Sequence, residues 1–304
     1  MIKKGIFSEI SGGSQLSIFI IITIVSLLIF MFLGTAVTFL ITGIGPNNSI
    51  LSNFNNPETI LYLKISQIFQ AIGLFISPPL IAAYLFNKSD SNYLQLKSTK
   101  FIFILIAGFL MVSSLPIINW LAEMNQNISF PESLENIEEW IRNNEEHAAN
   151  ITKHFLKANS IGVLALNLFV MALIPAIGEE LLFRGVLQKL FSKITNNIHL
   201  GIWITAFVFS AIHMQFLTFL PRFFMGALFG YMLVWSGSIW LPITAHFINN
   251  GMAVIMNYLV QNKSIDSEIE NIGSNNNTYL LFSIIILGSI LYFTFYNYYK
   301  RNSI

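Results

Sequence analysis

Two adjacent carboxylates and an arginine, Glu179, Glu180 and Arg184, stand in the stretch IGEELLFRGV within an otherwise apolar run of the chain. An ionised side chain at the bilayer centre costs roughly 2.5–3.5 kcal/mol on insertion scales, so such groups face a bundle interior or a wet cavity. Of the fifteen Asp and Glu residues, these two alone fall within an apolar span. Glu180 and Arg184 are four residues apart, on one helix face and in the order that favours an ion pair. Glu179 is turned away from Glu180 by about 100° and can address another helix. This spacing predicts that Arg184 neutralises and orients Glu180, while Glu179 keeps an unpaired carboxylate suited to a general base. Pro175 and Gly178, just before them, loosen the helix locally. The plainer reading is an internal ion pair that only holds helices together.

Three histidines could meet the free carboxylate. His213 ends FSAIH and His246 opens HFINN, with Asn250 one turn further along the same face. His199 stands at a helix start beside Lys193 and reads as a cap. His147 and His154, with Glu146, lie in an acidic stretch and read as a solvated face rather than a metal site. A carboxylate beside an imidazole can deprotonate a water in a low-dielectric cavity. A second imidazole and a carboxamide can donate to the oxygen that turns negative when a peptide carbonyl is attacked. Glu179, His213 and His246 could instead hold zinc with an open fourth position, although no HExxH signature supports it. The residues alone leave both forms open.

These groups need helices to carry them. Only 10% of the 304 residues are charged and 54% are hydrophobic, against about 25% charged in soluble domains. Apolar segments near 15–44, 60–86, 101–121, 160–190, 198–219, 222–236, 239–260 and 279–296 are each read as one span. The expected fold is an all-α polytopic transmembrane bundle of about eight spans, a single integral domain over 1–304. Within it, 160–260 forms the core and 122–159 an acidic extramembrane segment, helical after Pro131. The first run has no cleavage signature and reads as a retained span. Lys3, Lys4, Lys88, Lys97, Lys100, Lys189, Lys193, Lys300 and Arg301 mark alternate connections as cytoplasmic, which gives N-in and C-in. At about 1.5 Å per residue, Glu179 then lies roughly 15–20 Å from the cytoplasmic end of its helix, with His213, His246 and Asn250 in nearly the same layer. A net charge of +1 without a basic groove excludes a nucleic-acid partner. The absence of cysteine excludes disulfides and thiol chemistry. GALFG, Gly226 to Gly230, is read as ordinary small-residue packing.

Taken in order, EELLFR (179–184), FSAIH (209–213) and HFINN (246–250) resemble the EExxxR, FxxxH and HxxxN motifs of the CAAX protease and bacteriocin-processing family of intramembrane proteases. The resemblance covers about residues 160–260. It implies a helical bundle whose site opens to the cytoplasm. Glu179 and His213 would activate water, His246 and Asn250 would form the oxyanion hole, and Glu180 and Arg184 would support them, with the metal-free form favoured and zinc the alternative. It further implies a membrane-associated protein or peptide as substrate, cut within the cell membrane. The richness in Ile, Asn, Lys and Phe is that of an AT-rich bacterial genome, where prenylated CAAX substrates are not expected. Two rival readings are a proton-coupled transporter, which would need charges at several depths, and a non-catalytic scaffold, which would tolerate loss of Glu179.

Overall fold

The computed structural model describes residues 4–46, 51, 53–87, 92–266 and 277–302, the side chains of 277 and 295–302 aside. All regular elements among the described residues are helical: α1 (Gly12–Thr42), α2 (Pro57–Ala71), α3 (Ser77–Phe86), α4 (Phe101–Gln126), α5 (Glu135–Leu156), α6 (Ile161–Leu168), α7 (Ile174–Leu182), α8 (Gln188–Thr195), α9 (Ile198–Ala211), α10 (Phe219–Ser236), α11 (Trp240–Gln261) and α12 (Asn277–Asn302). Wide π turns at Ile72–Ile76, Phe169–Leu173 and Phe183–Leu187 fuse α2 to α3, and α6 through α7 to α8. The first two run directly into Pro78–Pro79 and Pro175. Proline lacks an N–H and its ring presses on the carbonyl four residues back, and the extra residue of a wide turn relieves both problems without ending the helix.

Gly12–Thr42, Pro57–Phe86, Phe101–Gln126, Ile161–Thr195 and Phe216–Ser236 are long and apolar enough to cross a membrane; Ile198–Ala211 and Thr278–Thr294 are shorter apolar helices. Large apolar side chains such as Phe32 and Leu40 on α1 and Phe101 on α4 are well exposed, as a lipid-facing surface requires and an aqueous one would not tolerate at this density. The chain is thus an all-α, multi-pass helical membrane protein.

Of the expected boundaries that move, two lie next to the site. The span expected over 198–219 stops at Ala211, because the backbone turns at Met214 (φ 53). His213 therefore sits in a turn and not within a helix, and α10 begins at Phe219 with Pro221 in its first turn, where the missing N–H is not needed. The helix expected to end at 121 continues to Gln126.

Glycines set the closest helix approaches. A Cβ on Gly226 would lie 3.1 Å from the Ala206 Cα, and one on Gly230 2.8 Å from Ile202 Cγ2, so GALFG packs α10 onto α9 inside the chain. At Gly201 a Cβ would meet the Ser192 backbone N at 2.8 Å and Cα at 2.9 Å. Backbone cannot swing aside as a side-chain tip can. Gly201→Ala is therefore expected to destabilise the α8–α9 pair by about 1–3 kcal/mol, measured as a lower unfolding midpoint in detergent.

The two ends of the bundle differ. At one, Lys189 Nζ donates to the Tyr93 carbonyl, Lys193 Nζ donates to the Ile10 carbonyl (2.9 Å), and Ser238 Oγ donates to the Lys97 carbonyl (2.6 Å). Across the other lies α5, an amphipathic helix that buries Ile141 and Phe155 and presents its acidic face. Arg142 and the Phe130 N–H both bond Glu138 and hold its carboxyl below the usual range. Glu145 accepts the Leu217 N–H at 2.6 Å, tying α5 to the α9–α10 turn. Lys3 and Lys88, used in the orientation argument, lie outside the described residues, as do the side chains of Lys300 and Arg301 and most of the expected outer loop before α12.

Candidate active site

The long helix carries the carboxylates on α7, a regular stretch between two wide turns. There Glu179 and Glu180 keep helical spacing and diverge. Glu180 is wholly buried, and its Oε1 accepts from two neighbours: Arg184 Nη1 at 3.0 Å and His246 Nδ1 at 2.8 Å. Arg184, also wholly buried, uses Nη2 to reach the Gly226 carbonyl at 2.9 Å. Its guanidinium lies 4.7 Å from the Phe209 ring centroid and 5.4 Å from that of Phe229. A desolvated guanidinium over aromatic faces gains cation–π attraction in addition to its ion pair. One carboxylate thus links α7 to α10 through Arg184 and to α11 through His246.

That link orders the imidazole. A carboxylate paired to Arg184 only accepts, so His246 donates from Nδ1 and presents Nε2 on the opposite side. The ring stacks on Phe229, with centroids 5.3 Å apart and planes 24° apart, and receives the edge of Phe209. Nε2 lies 3.9 Å from Glu179 Oε2, beyond direct hydrogen bonding. This oxygen is buried without a hydrogen-bond partner.

Glu179, His213, His246 and Asn250 line one cavity of about 320 Å³. His213 donates Nδ1–H to the Phe209 carbonyl at 2.7 Å, so its Nε2 is likewise left for other partners. Asn250 reaches the Met171 carbonyl at 3.5 Å, in the wide turn before α7, and accepts from Asn249 Nδ2 at 3.1 Å. Ile118 and Ala122 of α4, with Thr218 and Arg222 of the α9–α10 junction, complete the wall on the α5 side.

Several of these features had no sequence signal. The bond from His246 to Glu180 reassigns that histidine's inner nitrogen: donation from Nε2 to an oxyanion now requires the imidazolium form. Asn249 and Arg222 join the wall: Asn249 stands beside Asn250, and Arg222, a charge that the sequence places near a span boundary, belongs to the first turn of α10. Lys64, a further cation within a span, is buried and donates to Asn167 Oδ1 at 2.6 Å. His199 is not a cap. Asn197 accepts from the His199 and Leu200 N–H groups, and His199 pairs with Tyr231 Oη at 3.0 Å. His147 and His154 pack against Phe54. Among the described residues no three His, Asp or Glu side chains converge as a metal-ligand set.

The fold and this cavity define a multi-pass helical membrane protein with an acid–imidazole site in its interior. Its matches to known proteins fall on that part of the chain. Residues 161–252 match the family described as type II CAAX prenyl endopeptidase, Rce1-like. An uncharacterized protein of Bacillus subtilis (strain 168), YpbD, is 36% identical over 86 residues, 27% of this chain and 41% of its own length. The membrane-embedded CAAX protease MroQ of Staphylococcus aureus (strain USA300) is 28% identical over 121 residues, 38% of this chain and 47% of its own length. The chain thus spans less than half the length of these curated relatives. No solved structure matches. The matched region runs from α6 into α11 and contains Glu179, Glu180, His213, His246, Asn249 and Asn250.

Proposed function

We propose that the protein is an intramembrane endopeptidase that hydrolyses a peptide bond of a membrane-associated protein or peptide with a water activated by Glu179. The observation that carries this reading is Glu179 Oε2: a buried carboxylate oxygen without a partner, on a cavity wall, 3.9 Å from an imidazole nitrogen. Glu179 takes a proton from water as the oxygen attacks the peptide carbonyl, with His213 Nε2 accepting from the same water and orienting it. The oxyanion draws on Asn250 Nδ2, and on His246 Nε2 when that ring carries both protons. Collapse breaks the C–N bond, and the proton held by Glu179 passes to the departing amine. Glu180 and Arg184 hold His246 in place. No step runs through a metal ion.

The test is cleavage of membrane-anchored peptides by the detergent-purified protein and by Glu179→Gln and His213→Ala forms. Cleavage that survives Glu179→Gln defeats the mechanism, and loss of activity on chelation, restored by zinc, defeats its metal-free form.

Sidedness has its own test. The outer wall of the cavity comes from the α5 end of the bundle, opposite Lys189 and Lys193. If lysines mark the cytoplasm, we propose access from the α5 side, the side opposite the cytoplasmic opening that the family resemblance implies. The chain has no cysteine, so single cysteines report without background. Thr218→Cys is expected to react with an impermeant maleimide from the same side as Asn143→Cys on α5, and from the side opposite Lys193→Cys. Labelling of Thr218→Cys together with Lys193→Cys would reverse this assignment.

A further inference from the structure

Two arginines lie in the membrane-embedded part of the cavity region, and their surroundings differ. Arg184 has a carboxylate at 3.0 Å and no exposure. Arg222 lines the cavity, and its hydrogen bonds reach only neutral oxygens: the Thr218 hydroxyl (2.7 Å), the Gln215 carbonyl (3.4 Å) and the Gln215 side-chain oxygen. Among the described residues no carboxylate lies within ion-pair distance of it. A cation at membrane depth is costly unless something anionic meets it. Glu145 and Glu179 are near enough for their charges to act on it, but neither bonds it. Gln215 and Thr218 hold the guanidinium from the turn side, and the residue remains part of the cavity wall that His213 and Glu179 also line.

The geometry points to Arg222 as the residue that receives a carboxylate of the substrate. This rests on the endopeptidase reading and sharpens it: the peptide would carry a carboxylate close to the bond that is cut. A planar guanidinium matches a carboxylate through two parallel N–H donors, stronger and more directional than a neutral hydrogen bond. A cavity of about 320 Å³ is near the lower end of ligand pockets, roughly 300–1,000 Å³. It suits a short chain end more than a long segment. The carboxylate could be a free C-terminus or an acidic side chain near the scissile bond.

The experiment uses three membrane-anchored peptides of one core sequence: a C-terminal acid, its C-terminal carboxamide, and a carboxamide with one Glu on the C-terminal side of the cut. Wild type is expected to favour at least one carboxylate-bearing peptide over the plain carboxamide by about 10- to 100-fold, mostly in KM. The acid and the Glu peptide identify which source is read. In Arg222→Gln that preference should fall below about 2-fold, while Arg222→Lys keeps an intermediate value because it retains charge and loses the two-pronged geometry. A preference absent from wild type, or one kept by Arg222→Gln, overturns the assignment. Equal loss on all three peptides would make Arg222 a clamp of the α9–α10 turn or an oxyanion donor, and would also overturn it. Binding of fluorescent forms of the same peptides to Glu179→Gln, with and without Arg222→Gln, reads recognition without turnover. If the carboxylate preference appears there while wild type cuts nothing, the endopeptidase reading fails and the Arg222 assignment stands.

Discussion

A Glu179→Gln protein is expected to fold, to unfold within about 1 kcal/mol of wild type, and to cleave peptide at least ~100-fold more slowly, the range that a positioned general base supplies. The two halves of this result follow from one contact. Glu179 Oε2 is buried without a hydrogen-bond partner, so replacing the carboxylate with a carboxamide of the same shape leaves no other group unpaired. The base, however, disappears. Parallel measurement of the unfolding midpoint and of kcat/KM separates the readings: equal activity in both proteins removes Glu179 from the chemistry, and a large fall in stability would make it a structural group. His213→Ala is expected to lower kcat/KM as well, because its Nε2 belongs to the same cavity and its Nδ1 is fixed on the Phe209 carbonyl.

The largest effect on stability is expected at Arg184. Arg184→Met leaves the Glu180 carboxylate wholly buried with only His246 to bond it, and breaking such a pair from one side costs about 3–5 kcal/mol. Glu180→Gln should cost a similar amount by stranding the guanidinium. The double variant Glu180→Gln/Arg184→Met removes both charges while keeping an acceptor for His246 Nδ1. It is expected to recover most of the loss, since exchanging a buried ion pair for neutral groups of similar volume is often neutral. The measurement is a double-variant cycle on unfolding in mixed detergent micelles. If the two losses simply add, Glu180 and Arg184 do not act as a pair and the network drawn here is wrong.

Sequence spacing already separated Glu180 from Glu179. Residues four apart on one helix can meet without any tertiary information, and the Arg184–Glu180 contact of 3.0 Å has this local origin. The helical segments were legible for a similar reason, because runs of about twenty apolar residues bury their backbone polar groups only as helices. His213 was legible as a member of the site but not in its setting. The expected helix ran on to residue 219, whereas the chain turns at Met214 with a positive φ that apolar patterning does not encode. The wide turns before Pro78 and Pro175 were equally silent, since proline can be accommodated by a kink, a break or an added residue.

Composition, period and spacing thus determined the membrane class, the helical elements and the local pairing of Glu180 with Arg184, all properties of one segment and its solvent. Tertiary structure alone decided that His246 hangs from Glu180, that the α9–α10 turn and the end of α4 wall the cavity on the α5 side, and that Arg222 faces it with neutral partners. Each of these depends on the rotation and depth of one helix against another. In a membrane, where every face of a helix can be apolar, rotation is set by small residues such as Gly201 and Gly226 and by a few buried polar bonds, and a hydrophobic pattern carries no record of it.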